Sequence, residues 1–136
     1  MPTLGGTMDR WVRACAVALV LAAAGTASAA TFTVTKTADT NDGTCDADCS
    51  LREAVVAANA AAGADTIDFA VTGTIVLTSG PLQIEQALTI VGPGSGRLTI
   101  DGNSNGRIFT ILQAGFTTCP VALEGDYPVT ISGLTL

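Results

Sequence analysis

The chain contains no histidine, and among its 136 residues there are only 6 lysines and arginines, one tryptophan and one tyrosine. Each shortage excludes something. Without histidine there is no imidazole to act as a general base near neutral pH or as the common nitrogen ligand of zinc. The few cations stand against 12 acidic residues, and a net charge of −6 opposes binding to nucleic acid or anionic lipid, both of which are held by Lys and Arg. An aromatic fraction of 4% leaves few rings on which a sugar or a base could stack. Apolar runs long enough to span a bilayer are also missing.

One apolar run remains, from Ala14 to Ala24, about half the length of a membrane span. Arg10 and Arg13 precede it and Ala27-Ser28-Ala29 follows, which is the order of a cleaved secretory leader. Residues 1–29 therefore read as a signal peptide, with Ala30 as the first residue of a secreted or cell-surface protein. Cys15 would leave with the leader. Cleavage also removes Asp9, Arg10 and Arg13, leaving 11 acidic and 4 basic residues and a net charge of −7. Of the remaining cysteines, Cys45 and Cys49 suit a disulfide in an oxidising compartment. Cys119 is odd in number, either a buried thiol or one whose partner lies in sequence not present here.

Thr31 to Lys36 alternate apolar and hydroxyl side chains, predicting a strand that buries Phe32 and Val34. A turn-rich acidic loop runs from Ala38 to Cys49. Ser50 and Glu53 then write a capping box, which starts a helix at Leu51 that should reach about Ala62 and stop at Gly63. Leu51, Val55, Ala58 and Ala62 form its expected apolar face. Beyond Asp65, short aliphatic runs alternate with Gly, Pro, Asp and Asn: Thr66–Phe69, Thr74–Leu77, Leu82–Ile84, Leu88–Val91, Leu98–Asp101, Arg107–Leu112 and Val129–Ser132. Three share an aliphatic-Thr-Ile-x-Gly pattern, ending at Gly92, Gly102 and Gly133. Such short runs and weak repetition favour a β-solenoid over an antiparallel sandwich.

The segment from Thr31 to Phe69 resembles the CSLREA domain. It contains Thr-Val-Thr-Lys-Thr-Ala-Asp-Thr-Asn-Asp-Gly-Thr-Cys, then the six-residue motif at Cys49 to Ala54 without departure, then Ala-Asp-Thr-Ile-Asp-Phe. The resemblance implies an exported bacterial protein in which such a domain precedes a right-handed parallel β-helix. The expected fold is thus mainly β: a strand-loop-helix cap over residues 30–69 and the first coils of a β-helix over residues 70–136, continuing past Leu136.

Candidate chemistry is sparse. Asp39, Asn41, Asp42, Asp46 and Asp48 offer oxygen ligands for calcium. The EF-hand spacing fails, however, because Gly43 falls at the fifth position from Asp39, and a solvated turn-forming loop is the plainer reading. Gly102-Asn103-Ser104-Asn105-Gly106 satisfies G-x-S-x-G but lacks a following helix and a histidine base. Gly92-Pro93-Gly94-Ser95-Gly96 lacks the Lys-Ser/Thr of a phosphate loop. Both read as turns. The expected role is a structural or adhesive β-helix module without catalysis in this segment, presented to extracellular polysaccharide or to a host or neighbouring cell surface, with no nucleic-acid partner. An open C-terminal edge could also self-associate. The alternative is the N-terminal part of a carbohydrate-active β-helix enzyme, a lyase or hydrolase, for which Lys36, Arg52, Arg97 and Arg107 are the available cations. Arg52 reads as a helix-surface residue.

Overall fold

The computed structural model describes residues 28–112 and 128–136. Most of the expected leader, Cys119 and Tyr127 lie outside them. Among the described residues there are one helix, α1 (Leu51–Ala60), and eight strands: β1 (Thr31–Val34), β2 (Asp65–Phe69), β3 (Gly73–Val76), β4 (Leu82–Ile84), β5 (Leu88–Val91), β6 (Leu98–Asp101), β7 (Phe109–Ile111) and β8 (Val129–Ser132). No helix among them is long and apolar enough to cross a membrane.

All strand pairs are parallel, and they form three small sheets: β1-β2-β5-β8, β3-β6 and β4-β7. From β2 onward the chain visits the sheets in rotation and returns to each beside its earlier strand. The return takes 23 residues from Asp65 to Leu88, 25 from Gly73 to Leu98 and 27 from Leu82 to Phe109. From Leu88 to Val129 it takes 41, an interval that includes residues 113–127.

Register explains the core. A strand alternates faces with period two, so matched registers bring alternate residues of successive strands into one column. Ile67, Ile90 and Ile131 line up in the first sheet, and Ile75 pairs with Ile100 in the second. Ile67, Ile75, Ile84, Ile90 and Ile100 are fully buried, each stabilising the fold by about 1.5–3 kcal/mol. Two of the aliphatic-Thr-Ile-x-Gly units, in β5 and β8, stack directly, whereas the third, in β6, belongs to a different sheet. The sequence repeat therefore marks a shared strand shape rather than a single face. Where the units do stack, Gly92 and Gly133 meet: a Cβ on Gly92 would lie 2.2 Å from the Gly133 carbonyl oxygen. Only glycine permits that approach.

Helix α1 packs on β1, β2 and β4 and buries Leu51, Glu53, Ala54, Val55 and Ala58. It ends two residues before the expected Ala62, which is exposed. Ala61 is already extended, its N–H donating to the carbonyls of Ala57 and Ala58, and the chain needs the following residues to reach β2. Gly63 serves a different purpose from a helix stop. It takes φ +126°, and a Cβ there would come within 3.2 Å of the Ser28 backbone.

Candidate functional site: the stapled helix start and its acidic loop

The chemistry-bearing residues converge at the start of α1. Ser50 is extended (φ −82°, ψ 166°), and its Oγ accepts from the Glu53 N–H at 3.1 Å while the Ser50 N–H donates to Glu53 Oε2 at 2.7 Å. The capping box is thus complete, with both residues buried. Glu53 does more than cap. Its Oε1 accepts from the Asp42 N–H at 3.1 Å and from the Thr40 hydroxyl at 3.2 Å, and the Lys36 ammonium lies 3.6 Å from Oε2. Ser50 Oγ in turn donates to the Thr40 carbonyl at 2.6 Å. Burial pushes the Glu53 carboxyl up, but the donors from Ser50, Asp42 and Thr40 and the charge of Lys36 outweigh it and hold the group below its ordinary value.

Cys45 and Cys49 are joined by a disulfide, with Cα atoms 4.5 Å apart. Cys49 is fully buried, and its backbone is tied to the segment after β1: Thr35 N–H donates to the Cys49 carbonyl at 2.8 Å, and Cys49 N–H donates to Thr35 Oγ1 at 2.9 Å. The loop is therefore fastened at its end by a covalent bond and on its flank by hydrogen bonds.

Arg52, expected as a helix-surface residue, is partly buried and engaged. Its guanidinium forks onto Asp39, with Nε to Oδ1 at 2.7 Å and Nη2 to Oδ2 at 3.1 Å, and Nη2 also donates to the Gly80 carbonyl at 2.7 Å. The Asp39 carboxylate is buried to 1% exposure and further accepts the backbone N–H groups of Thr78 and Ser79 at 2.7 and 3.0 Å. Burial raises the Asp39 carboxyl, and the Arg52 fork with the two N–H donors more than offsets this, leaving it below its usual range. Through this pair, the acidic loop and the helix are fixed to the turn between β3 and β4.

A second tie closes the other side of the turn. The Asn59 side chain donates to the Gln83 carbonyl at 2.8 Å and accepts the Glu85 N–H at 3.0 Å, so one amide occupies the place a neighbouring strand would take along β4. Between helix and turn lies a groove of ≈ 420 Å³ lined by Arg52, Val55, Val56, Asn59, Pro81 and Glu85, among others. Its cation is already engaged by Asp39.

The five suggested calcium ligands do not converge. Asp39 is held as described, while Asn41 accepts from the Gly43 N–H, Asp42 from Thr44 and Asp46 from Asp48, each closing its own turn. Asp48 binds the Lys36 ammonium at 3.0 Å, a hydrogen bond that raises the lysine pKa. Among the described residues no group of three or more His, Cys, Asp or Glu side chains is arranged to hold a metal. Ser104 sits at φ +61° in a turn followed by β7 rather than by a helix, and residues 92–96 form the turn into β6. Arg97 and Arg107 are exposed at turns.

Sequence reasoning missed the Asp39–Arg52 fork and the buried Asp65. The fork joins residues 13 apart through a loop and carries no periodic signal. Asp65 could have been found, because it precedes Thr66-Ile67 at the place where β5, β6 and β8 carry Leu88, Leu98 and Val129 before Thr-Ile. No protein-family model, curated protein or solved structure matches this chain.

Proposed function

We propose that this chain is the N-terminal end of an exported parallel β-helix protein, with residues 30–69 as a CSLREA-type cap and residues 70–136 as its first coils, serving a structural or adhesive role outside the cell. The observation that carries this reading is the rotation of β2 to β8 through three all-parallel sheets, with return intervals of 23 to 27 residues for three of the four strands that come back. A chain that returns in register beside itself is the path of a solenoid, and parallel crossovers are right-handed in nearly all cases.

The cap reading is supported by what α1 covers. It packs on β1, the outer strand of the first sheet, as well as on β2 and β4, and the Asn59 amide satisfies part of the free β4 edge. Each residue of the Cys49–Ala54 motif has a part in that lid: Cys49 the staple, Ser50 and Glu53 the cap, Leu51 and Ala54 the core, Arg52 the tie to the β3–β4 turn. The motif is consumed by construction.

The exported protein, incubated with acidic and neutral extracellular polysaccharides and with intact cells, tests the role. Saturable binding with no new reducing ends and no unsaturated sugar termini is the expected result. Turnover of any polysaccharide would overturn the proposal in favour of a carbohydrate-active enzyme.

A further inference from the structure

Asp65 is a carboxylate in an aliphatic column. It pairs in register with Leu88, which pairs with Val129, and it shares the buried face of β2 with Ile67. It is 1% exposed. Its Oδ1 accepts the backbone N–H of Ala30 at 2.7 Å, and its Oδ2 is buried with no hydrogen-bond partner. A buried carboxylate with one oxygen unsatisfied is costly and calls for a compensating charge. No Lys or Arg forms a salt bridge with it among the described residues.

The missing charge has an evident source. Ala30 is the residue at which the chain would begin after cleavage of Ala27-Ser28-Ala29. Its carbonyl accepts from the Thr66 N–H at 2.8 Å, which fixes it beside β2, whereas Ser28 and Ala29 are exposed. We propose that leader removal installs the ammonium that Asp65 lacks, so that the new N-terminus of Ala30 forms a buried ion pair with Asp65 and locks the start of the first sheet. Hydrolysis adds water across the Ala29–Ala30 peptide bond: Ala29 leaves as a carboxylate, and the Ala30 amine takes up the proton as an ammonium. One amide hydrogen becomes three, enough to serve both oxygens of Asp65.

This rests on the export reading, and it adds a consequence. The unprocessed chain carries an uncompensated buried acid, which holds it at lower stability until the leader is gone. Processing then contributes to folding as well as to release.

The test uses the full chain with residues 24–29 replaced by the recognition sequence of a site-specific protease, cut so that the product begins at Ala30. A second version keeps Ser28 and Ala29 and carries the recognition sequence at residues 22–27 instead, so that its product begins at Ser28 and displaces the ammonium. Urea unfolding should show the Ala30 product more stable than both the uncut chain and the Ser28 product, by roughly tenfold or more in the unfolding equilibrium. In Asp65→Asn this difference should vanish. Should that variant fail to fold, acetylation of the α-amine by acetic anhydride gives an independent reading, with the Ala30 amine expected to react more slowly than the Ser28 amine. Equal stability and equal amine reactivity for the two N-termini would overturn the ion pair. The intact mass of the naturally exported protein separates the two premises, because a chain that starts anywhere but Ala30 overturns the assignment to leader removal whatever the unfolding data show.

Discussion

Glu53→Gln keeps the shape of the most heavily used side chain at the helix start and removes its charge. Glu53 accepts from three donors besides the Lys36 ammonium, and the substituted amide must place its NH2 at one of the two oxygen positions. Replacing Oε1 opposes the Asp42 N–H, while the Thr40 hydroxyl can turn to accept; replacing Oε2 opposes both the buried Ser50 N–H and the Lys36 ammonium. Either orientation leaves a backbone N–H of the site facing a donor. An unsatisfied buried donor costs about 1–3 kcal/mol, and the remaining bonds lose their charge assistance. We expect a total loss of about 2–3 kcal/mol, read as a fall of about 1 M in the urea midpoint with an unchanged slope. The exposed Glu85→Gln should cost less than about 0.5 kcal/mol and serves as the control. The effect should also depend on pH. Because the folded Glu53 carboxyl is held below its ordinary value, its contribution is complete above about pH 4.3, where an unfolded glutamate is ionised, and is lost as pH falls through the folded value. The two unfolding curves should therefore converge in acid. A loss below about 0.5 kcal/mol at neutral pH would refute the account of Glu53 as the centre of the hydrogen-bonded helix start.

Arg52→Lys replaces a fork by a single point of charge that cannot span Asp39 and the Gly80 carbonyl together, so a loss of about 1–2 kcal/mol is expected from chemical unfolding. Gly92→Ala would drive a methyl into the Gly133 carbonyl, and limited proteolysis should reveal release of β8 while the segment around α1 stays protected. Reduction of Cys45–Cys49 should lower stability by about 2 kcal/mol, the chain-entropy value for so short a loop, with the helix signal in circular dichroism retained. Adding calcium or a chelator should leave the melting temperature unchanged, since the acidic loop's oxygens already close turns or pair with cations.

Much of the architecture could be read from local signals. The helix start is written within four residues, and Leu82–Ile84, Leu88–Val91, Leu98–Asp101 and Val129–Ser132 fall where β-branched runs sit between turn residues. The end of the helix was less legible: a run of alanines has no preference for where to stop, and the distance to β2 decides it. Pairing was not legible from the repeat itself, since Leu88-Thr-Ile and Leu98-Thr-Ile look alike and enter different sheets. The sheet to which a strand belongs is set by the length and shape of the preceding turns, which short motifs do not encode. The same limit hid the long reach of the acidic loop, as the bond from Thr78 to Asp39 joins residues 39 apart.

The rotation of strands through the three sheets has a consequence for the order of assembly. A chain emerging N-terminus first completes the ties around its helix once the turn at Thr78 to Gly80 and β4 with the residues to Gln86 have appeared, since these supply the more distant partners of Asp39, Arg52 and Asn59. Each strand from β5 onward then finds an earlier neighbour already in place. Folding can thus keep pace with emergence, in one direction, on a template that the chain has itself just laid down.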